Sequence, residues 1–334
     1  MHRIARVIVL AVVVAGARPP AVVAQTVDVD LGGAVLVVSD APTAQVFHIV
    51  DQLSQWDQYA HKQYVRWAKT NLPLTTADSG LLEQHAALRR ARGWGNGFEQ
   101  AFLVDLSIDA AAQRAVDIHL LSAKESDEEK AILLHFAPML DSLRRVEAPR
   151  IAAFRQRLLG ERERLTPVVQ ELGRFTGTRT PPRIPVFLIS NPEETSGGGE
   201  GNGGRLVIEV PAPDPMGVLL HESLHLFLAP HEDQIRLAAD SAGLSLETFN
   251  DGIAYAFAPG ITDDPQQTDL LAEQAARFLV RGSTPSDHYV QSYAMAIAIR
   301  PVLRAALARG DSFETFLPQA IARWRQVVTN SVKR

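Results

Sequence analysis

One predicted helix constrains the fold of this chain more than any other feature, because it is apolar on almost every side yet carries ionisable groups. Asp214 suits the N-cap and Pro215 the first helical position, while Pro230 cannot continue a helix, so we predict a helix over residues 215–229. A helix that is apolar all round belongs in a protein interior. Its apolar residues are Val218, Leu219, Leu220, Leu224, Leu226, Phe227 and Leu228.

The centre of this helix carries His221-Glu222-Ser223-Leu224-His225, the pattern His-Glu-x-x-His. Spacing of four residues puts both imidazoles on one helical face, where they can share one zinc ion, with Glu222 beside it as a base toward water. With 10 histidines in 334 residues, chance predicts about 0.02 such patterns. Hydrogen-bonded core histidines are the weaker interpretation, because three buried polar groups at ligand spacing are hard to satisfy otherwise.

Two predicted strands, residues 185–189 and 205–210, precede the helix. The Gly-rich segment between them, residues 196–204, is followed by a strand and not by the helix that a phosphate-binding loop requires. We therefore predict a flexible hairpin tip. The strand over residues 205–210 is predicted to be the cleft edge, which would bind an extended peptide by strand addition.

These features together resemble the zincin metallopeptidases. The resemblance covers roughly residues 185–258 and leaves residues 42–175 unexplained. It implies an α+β fold, mostly helical, with a small sheet packed against the helix that carries His-Glu-x-x-His. It also implies bound Zn²⁺, a peptide or protein substrate, and a third metal ligand supplied from downstream.

The segment that begins at Leu246 resembles the second helix of the gluzincins, whose signature often contains Asn-Glu-Gly-x-Ala. Asp251 stands here in the position of the glutamate ligand and is the leading candidate for the third ligand. Glu247 lies one turn earlier on the same face and is the second candidate. In a Glu-x-x-x-Asp arrangement, Glu247 would bind the metal and Asp251 would orient a histidine.

His231 offers a different third ligand. Its distance from His225 matches the metzincin pattern His-Glu-x-x-His-x-x-Gly-x-x-His, but Leu228 occupies the place of the glycine that lets that chain turn. The methionine turn of the metzincins also has no counterpart, since Met295 lies in a helical pattern. The carboxylates are therefore favoured, and His231 remains the alternative.

A peptidase also needs a donor for the oxyanion of its tetrahedral intermediate. His288, Tyr289 and Tyr293 precede or begin a predicted helix and are the candidates, with Tyr289 taken as the catalytic one. Packing alone is nevertheless the favoured interpretation of these tyrosines, since amphipathic aromatic residues are common at core edges.

The rest of the chain divides into three parts. Residues 25–175 are predicted to form a β-hairpin around Gly32-Gly33 followed by helices, residues 176–183 a linker, and residues 184–334 the zincin-like catalytic region. Residues 1–24 are typical of a signal peptide, with His2, Arg3 and Arg6 before an apolar run about half of the ~20 residues that span a bilayer. Cleavage near Ala24 would release an exported protein.

Composition excludes several kinds of chemical site and binding partner. The chain has no cysteine, which excludes disulfides, zinc–thiolate sites and thiol nucleophiles. A net charge of −5 gives no basic surface for nucleic acid, and no later stretch is long enough to span a membrane. We therefore expect an exported zinc peptidase. The alternatives are a zincin-fold binding or scaffold protein without turnover, and a metal-free helical protein.

Overall fold

The computed structural model describes residues 25–58, 60–93, 97–257 and 288–332, so the predicted signal peptide lies outside the described residues. The fold is α+β and mostly helical, with one mixed five-stranded sheet of order β1-β2-β3-β5-β4. Within the described part, no helix combines the length and apolarity needed to cross a membrane. The strands are β1 (Thr26–Asp30), β2 (Val35–Ser39), β3 (Arg183–Ser190), β4 (Gly199–Asn202) and β5 (Arg205–Val210).

Twelve α-helices are described around this sheet, in keeping with the helical pattern predicted after residue 42. They are α1 (Pro42–Ser54), α2 (Lys62–Asn71), α3 (Thr76–Arg90), α4 (Phe98–Phe102), α5 (Ile108–Asp117), α6 (Ala123–Gly160), α7 (Arg162–Phe175), α8 (Pro215–Leu228), α9 (Glu232–Ala242), α10 (Leu246–Phe257), α11 (His288–Arg309) and α12 (Phe313–Val332).

The predicted hairpin is confirmed, because β1 and β2 pair antiparallel around a turn in which Gly32 has φ +71°. Strand β2 then pairs in parallel with β3, which follows the predicted linker at residues 176–183. The amino-terminal hairpin and the strands before the motif helix therefore belong to one sheet.

Both faces of the sheet are covered, as the alternation of side chains along β3 requires. Phe187 and Ile189 pack with α1, α4 and α6, whereas Val186 and Leu188 face the opposite way, toward α7 and α8. A third apolar cluster joins α8 to α9, α10, α11 and α12. Helix α8 thus lies between the sheet and the carboxyl-terminal helices.

The ends of α8 follow the sequence prediction. The Asp214 carboxylate accepts a hydrogen bond from the Gly217 N–H at 2.9 Å, and Pro215 occupies the first turn. The helix ends at Leu228 and a short 3-10 turn, Ala229–His231, follows. Leu219 and Leu220 pack toward the sheet and Leu224 toward the carboxyl-terminal helices, which explains why the helix is apolar on opposite sides.

The Gly-rich segment is where the sequence prediction was wrong. Part of it forms β4, which pairs antiparallel with β5 and is the outer strand, so β5 is internal and not the cleft edge. The segment can form this outer strand because its glycines let β4 approach α8 closely. A Cβ atom on Gly199 would lie 2.6 Å from both the Val207 carbonyl oxygen and Val218 Cγ1, so glycine permits the strand to pack there.

We expect Gly199→Ala to lower the free energy of unfolding by about 1–3 kcal/mol, because the new methyl group overlaps backbone and a packed valine. Gly80→Ala is the matched control, since a Cβ at Gly80 in α3 meets no atom within 4 Å. That change should stabilise the helix by up to about 1 kcal/mol. Urea unfolding measures both variants, and equal stabilities would contradict the close packing of β4.

Candidate metal centre

Three side chains predicted as metal ligands converge at one point. The Nε2 atoms of His221 and His225 lie 3.2 Å apart, and His225 Nε2 lies 3.3 Å from Asp251 Oδ1. Ligand atoms of all three residues lie within 4.8 Å of one another. Two ligands of a tetrahedral zinc, each about 2.0–2.1 Å from the metal, are roughly 3.3–3.4 Å apart. The observed spacings fit that geometry.

Three helices position this group. Helix α8 supplies His221 and His225 one turn apart, and α10, which packs on α8, supplies Asp251. Helix α10 in turn packs closely on α11, because Gly252 leaves space there: a Cβ on Gly252 would lie 2.7 Å from Met295 Sδ. Met295 is therefore an internal residue of α11 that supports α10.

The charges around the histidine pair affect its two members in opposite directions. Burial and the neighbouring His225 lower the pKa of His221 to about 3. Burial also acts against protonation of His225, but its contact with Asp251 outweighs this and raises its pKa. Hydrogen bonds from His225 and His288 outweigh burial at Asp251 and hold the pKa of that carboxyl well below its usual range. Among the described residues, the buried Nδ1 of His221 has no hydrogen-bond partner.

Glu222 lies beside these three side chains and lines the same cleft. Burial, with the negative charges of Asp251 and Glu200, raises the pKa of Glu222 to about 7. Gly201 in β4 lies next to the Glu222 carboxylate, since a Cβ on Gly201 would lie 3.2 Å from Glu222 Oε2. A carboxyl group with a pKa near neutrality can both accept and return a proton.

The other two predicted ligands lie outside the group. The Glu247 side chain is 57% exposed and lies 3.7 Å from His288. The His231 ring packs against Phe313, and its Nε2–H donates to the Thr176 carbonyl at 2.8 Å. Of the alternatives left open by the sequence, Asp251 is the one that the structure brings to the histidine pair.

Aromatic residues line the wall opposite β4. Tyr289, the predicted oxyanion donor, is 47% exposed at the cleft, and Tyr293 is buried behind it. The sequence reasoning assigned no role to Tyr255, whose ring lies 4.4 Å from that of His221 and 5.3 Å from that of Tyr293. Its position four residues after Asp251, on the same helical face, was the available signal.

The cleft has a volume of about 900 Å³ and runs between β4 and the helices α8, α10 and α11. Gly199 and Gly201 of β4 border one side, and Leu226 and Ile235 contribute apolar surface on the other. His61, from the amino-terminal helical region, also lines the cleft. That region therefore contributes directly to the cleft wall.

A buried carboxylate holds β4 in place. Glu209 on β5 accepts hydrogen bonds from His48 at 3.0 Å, from His61 at 2.9 Å and from the Gly198 N–H at 2.9 Å. His48 also lies 3.4 Å from Glu200 of β4. Burial opposes protonation of His48, but its bonds to Glu200 and Glu209 outweigh burial and raise its pKa to about 10.

Comparisons of the chain with models of protein families, with curated proteins and with solved structures found no match.

We expect the free energy of unfolding of His48→Gln to fall less than that of the wild type as the pH rises above 6.5. Because the folded pKa of His48 is about 10 and the ordinary value is 6.5, its contribution is complete below pH 6.5 and is lost as pH rises toward 10. From pH 6.5 to 9.5, the wild-type free energy of unfolding should fall more than that of His48→Gln, by at least about 1.4 kcal/mol.

Urea titrations at pH 6.5, 8 and 9.5 test this difference. His135→Gln is the control, because His135 is a half-exposed surface residue paired with Asp78. Parallel pH curves for the wild type and His48→Gln would show that His48 is not charged in the folded protein.

Proposed function

We propose that this protein is an exported zinc-dependent peptidase in which the sheet and the motif helix pack as in the zincins. The observation that carries the proposal is the convergence of His221, His225 and Asp251 beside Glu222 in one cleft. The order of elements also supports it, because an outer strand lies along the helix that supplies two of the ligands. Export is proposed from the signal-like pattern of residues 1–24.

His221, His225 and Asp251 would hold the zinc. Bound zinc acts as a Lewis acid, which polarises a carbonyl group and lowers the pKa of a coordinated water. Glu222 accepts the proton of the attacking water and returns it to the amine of the leaving peptide. Glu222 lines the cleft next to the ligand group, and its carboxylate lies against Gly201 of β4.

Strand β4 is proposed to bind the substrate. One side of β4 pairs with β5, and the other side is the end of the described sheet. Unpaired backbone groups on an outer strand can pair with an extended peptide. Gly199 and Gly201 let β4 pack closely against α8, and the proposed partner of its outer edge is a peptide or protein substrate.

Two tyrosine hydroxyls are proposed as oxyanion donors. Tyr255 packs on His221, and burial with the charge of Asp251 raises the pKa of Tyr255, so it keeps its proton. Tyr289 lies at the exposed side of the same cleft. Both hydroxyls can donate toward a developing negative charge on the substrate.

A binding or scaffold protein without turnover is the second candidate. Aspartate reaches one methylene less far than the glutamate of the gluzincin signature, so Asp251 gives the ligand set a different geometry. Such a site could bind zinc and a peptide without cleaving it. Turnover measurements separate the two candidates.

We expect one zinc per purified chain and loss of that zinc in the His221→Ala/His225→Ala double variant, because both imidazoles are ligands on one helical face.

Asp251→Ala should lower zinc affinity much more than His231→Ala or Glu247→Ala, since it removes an anion from a dication. Elemental analysis and chelator competition measure both effects. Stoichiometric zinc in the double variant would contradict the site, and loss of zinc in His231→Ala alone would favour the metzincin-like ligand set.

We expect Glu222→Gln to retain zinc and to lower kcat on a cleavable peptide by about 10²–10⁴-fold, because the amide cannot accept the proton of water. A peptide library incubated with wild type and variant, followed by mass spectrometry, measures cleavage. Zinc in both proteins with cleavage in neither would support the binding or scaffold candidate. Equal cleavage by both would contradict the role of Glu222.

A further inference from the structure

The two carboxylate oxygens of Asp251 have different partners. Oδ1 lies 3.3 Å from His225 Nε2, on the side of the ligand group. Oδ2 accepts a hydrogen bond from His288 Nε2 at 2.8 Å. One oxygen is therefore directed at the proposed metal and the other at α11.

The orientation of His288 is fixed in turn by residues at the start of α10. The Ser245 hydroxyl donates to Thr248 Oγ1 at 2.8 Å, so the Thr248 hydroxyl is available to donate to His288 Nδ1, 3.1 Å away. A histidine that accepts at Nδ1 carries its proton at Nε2. The Nε2–H then donates to Asp251. Ser245 also caps α10 by accepting the Thr248 N–H at 3.0 Å.

We propose that His288 is a positioning residue that holds Asp251 as a one-oxygen metal ligand through the relay Ser245–Thr248–His288–Asp251. The inference rests on the proposed metal site. A short aspartate side chain can turn either oxygen toward a cation, or both. The hydrogen bond to Oδ2 selects Oδ1 for the metal and limits rotation of the carboxylate.

The packing of α10 on α11 does not depend on this contact. The two helices also meet where Gly252 faces Met295 and where the ring of Tyr255 packs at a tilt against that of Tyr293. Loss of the His288 hydrogen bond should therefore change metal binding more than it changes folding. With Nε2 facing Asp251 and Nδ1 facing Thr248, the sequence-based expectation of His288 as an oxyanion donor gives way to this role.

The test compares His288→Ala with His288→Gln, whose amide can still donate to Asp251. Zinc dissociation constants from chelator competition should rise about 10–100-fold for His288→Ala and stay within about threefold of wild type for His288→Gln. The visible spectrum of the Co²⁺-substituted protein should shift for His288→Ala only, because the carboxylate changes its coordination. Thermal unfolding without metal shows whether each variant is folded.

Two further variants complete the design. His119→Asn removes an exposed histidine far from the ligand group in sequence, and zinc affinity should not change. Thr248→Val is isosteric and removes only the hydroxyl that fixes the His288 proton, so it should weaken zinc binding about two- to tenfold. Thr248→Val decides the question if His288→Ala does not fold, because wild-type affinity there would overturn the relay.

The outcomes separate the two proposals. Wild-type zinc affinity in a folded His288→Ala variant overturns the relay and leaves the metal site standing. Equal losses of zinc affinity in His288→Ala and His288→Gln also overturn the relay, because the amide of His288→Gln still provides a hydrogen-bond donor for Asp251. Absence of zinc from the wild-type protein overturns the proposed function and this inference with it.

Discussion

The structure depends on burying a helix whose apolar surface surrounds two histidines and a glutamate. The apolar residues of helix α8 are buried on two sides, against the sheet on one and against the carboxyl-terminal helices on the other. The polar face that remains cannot be packed against hydrocarbon without a large cost. It lines a cleft instead, where Asp251 and the outer strand β4 meet it. The site is thus the consequence of how α8 is covered.

The amino-terminal helical region, which no motif explained, has a physical connection to this cleft. The Glu209 carboxylate accepts hydrogen bonds from His48, His61 and the Gly198 N–H. It therefore links α1 and the chain before α2 to β4, the strand that borders the cleft. A fully buried carboxylate of this kind is stable only with all of its partners in place. The region therefore fixes the position of β4 as well as enclosing one face of the sheet.

Local patterns were predictable because they depend on neighbours in sequence. The cap and first turn of α8, the hairpin around Gly32 and the common face of His221 and His225 each follow from backbone geometry over a few residues. The position of β4 was not predictable in the same way. A run of glycines has no side-chain periodicity, and its role as a strand depends on a helix that packs 2.6 Å from a hypothetical Cβ.

The amino-acid sequence alone places two histidines one turn apart on one helix, with a glutamate beside them, because a spacing of four residues is a property of any α-helix. Which further residue lies next to the histidine pair depends on how the helices pack. The sequence favoured Asp251 over Glu247 and His231 without excluding either, and the packing of α10 on α8 brings Asp251 to His225 while His231 lies against Phe313. The contacts of Tyr255 and His288 follow in the same way, since side-chain contacts between helices depend on their packing and have no signature in sequence spacing.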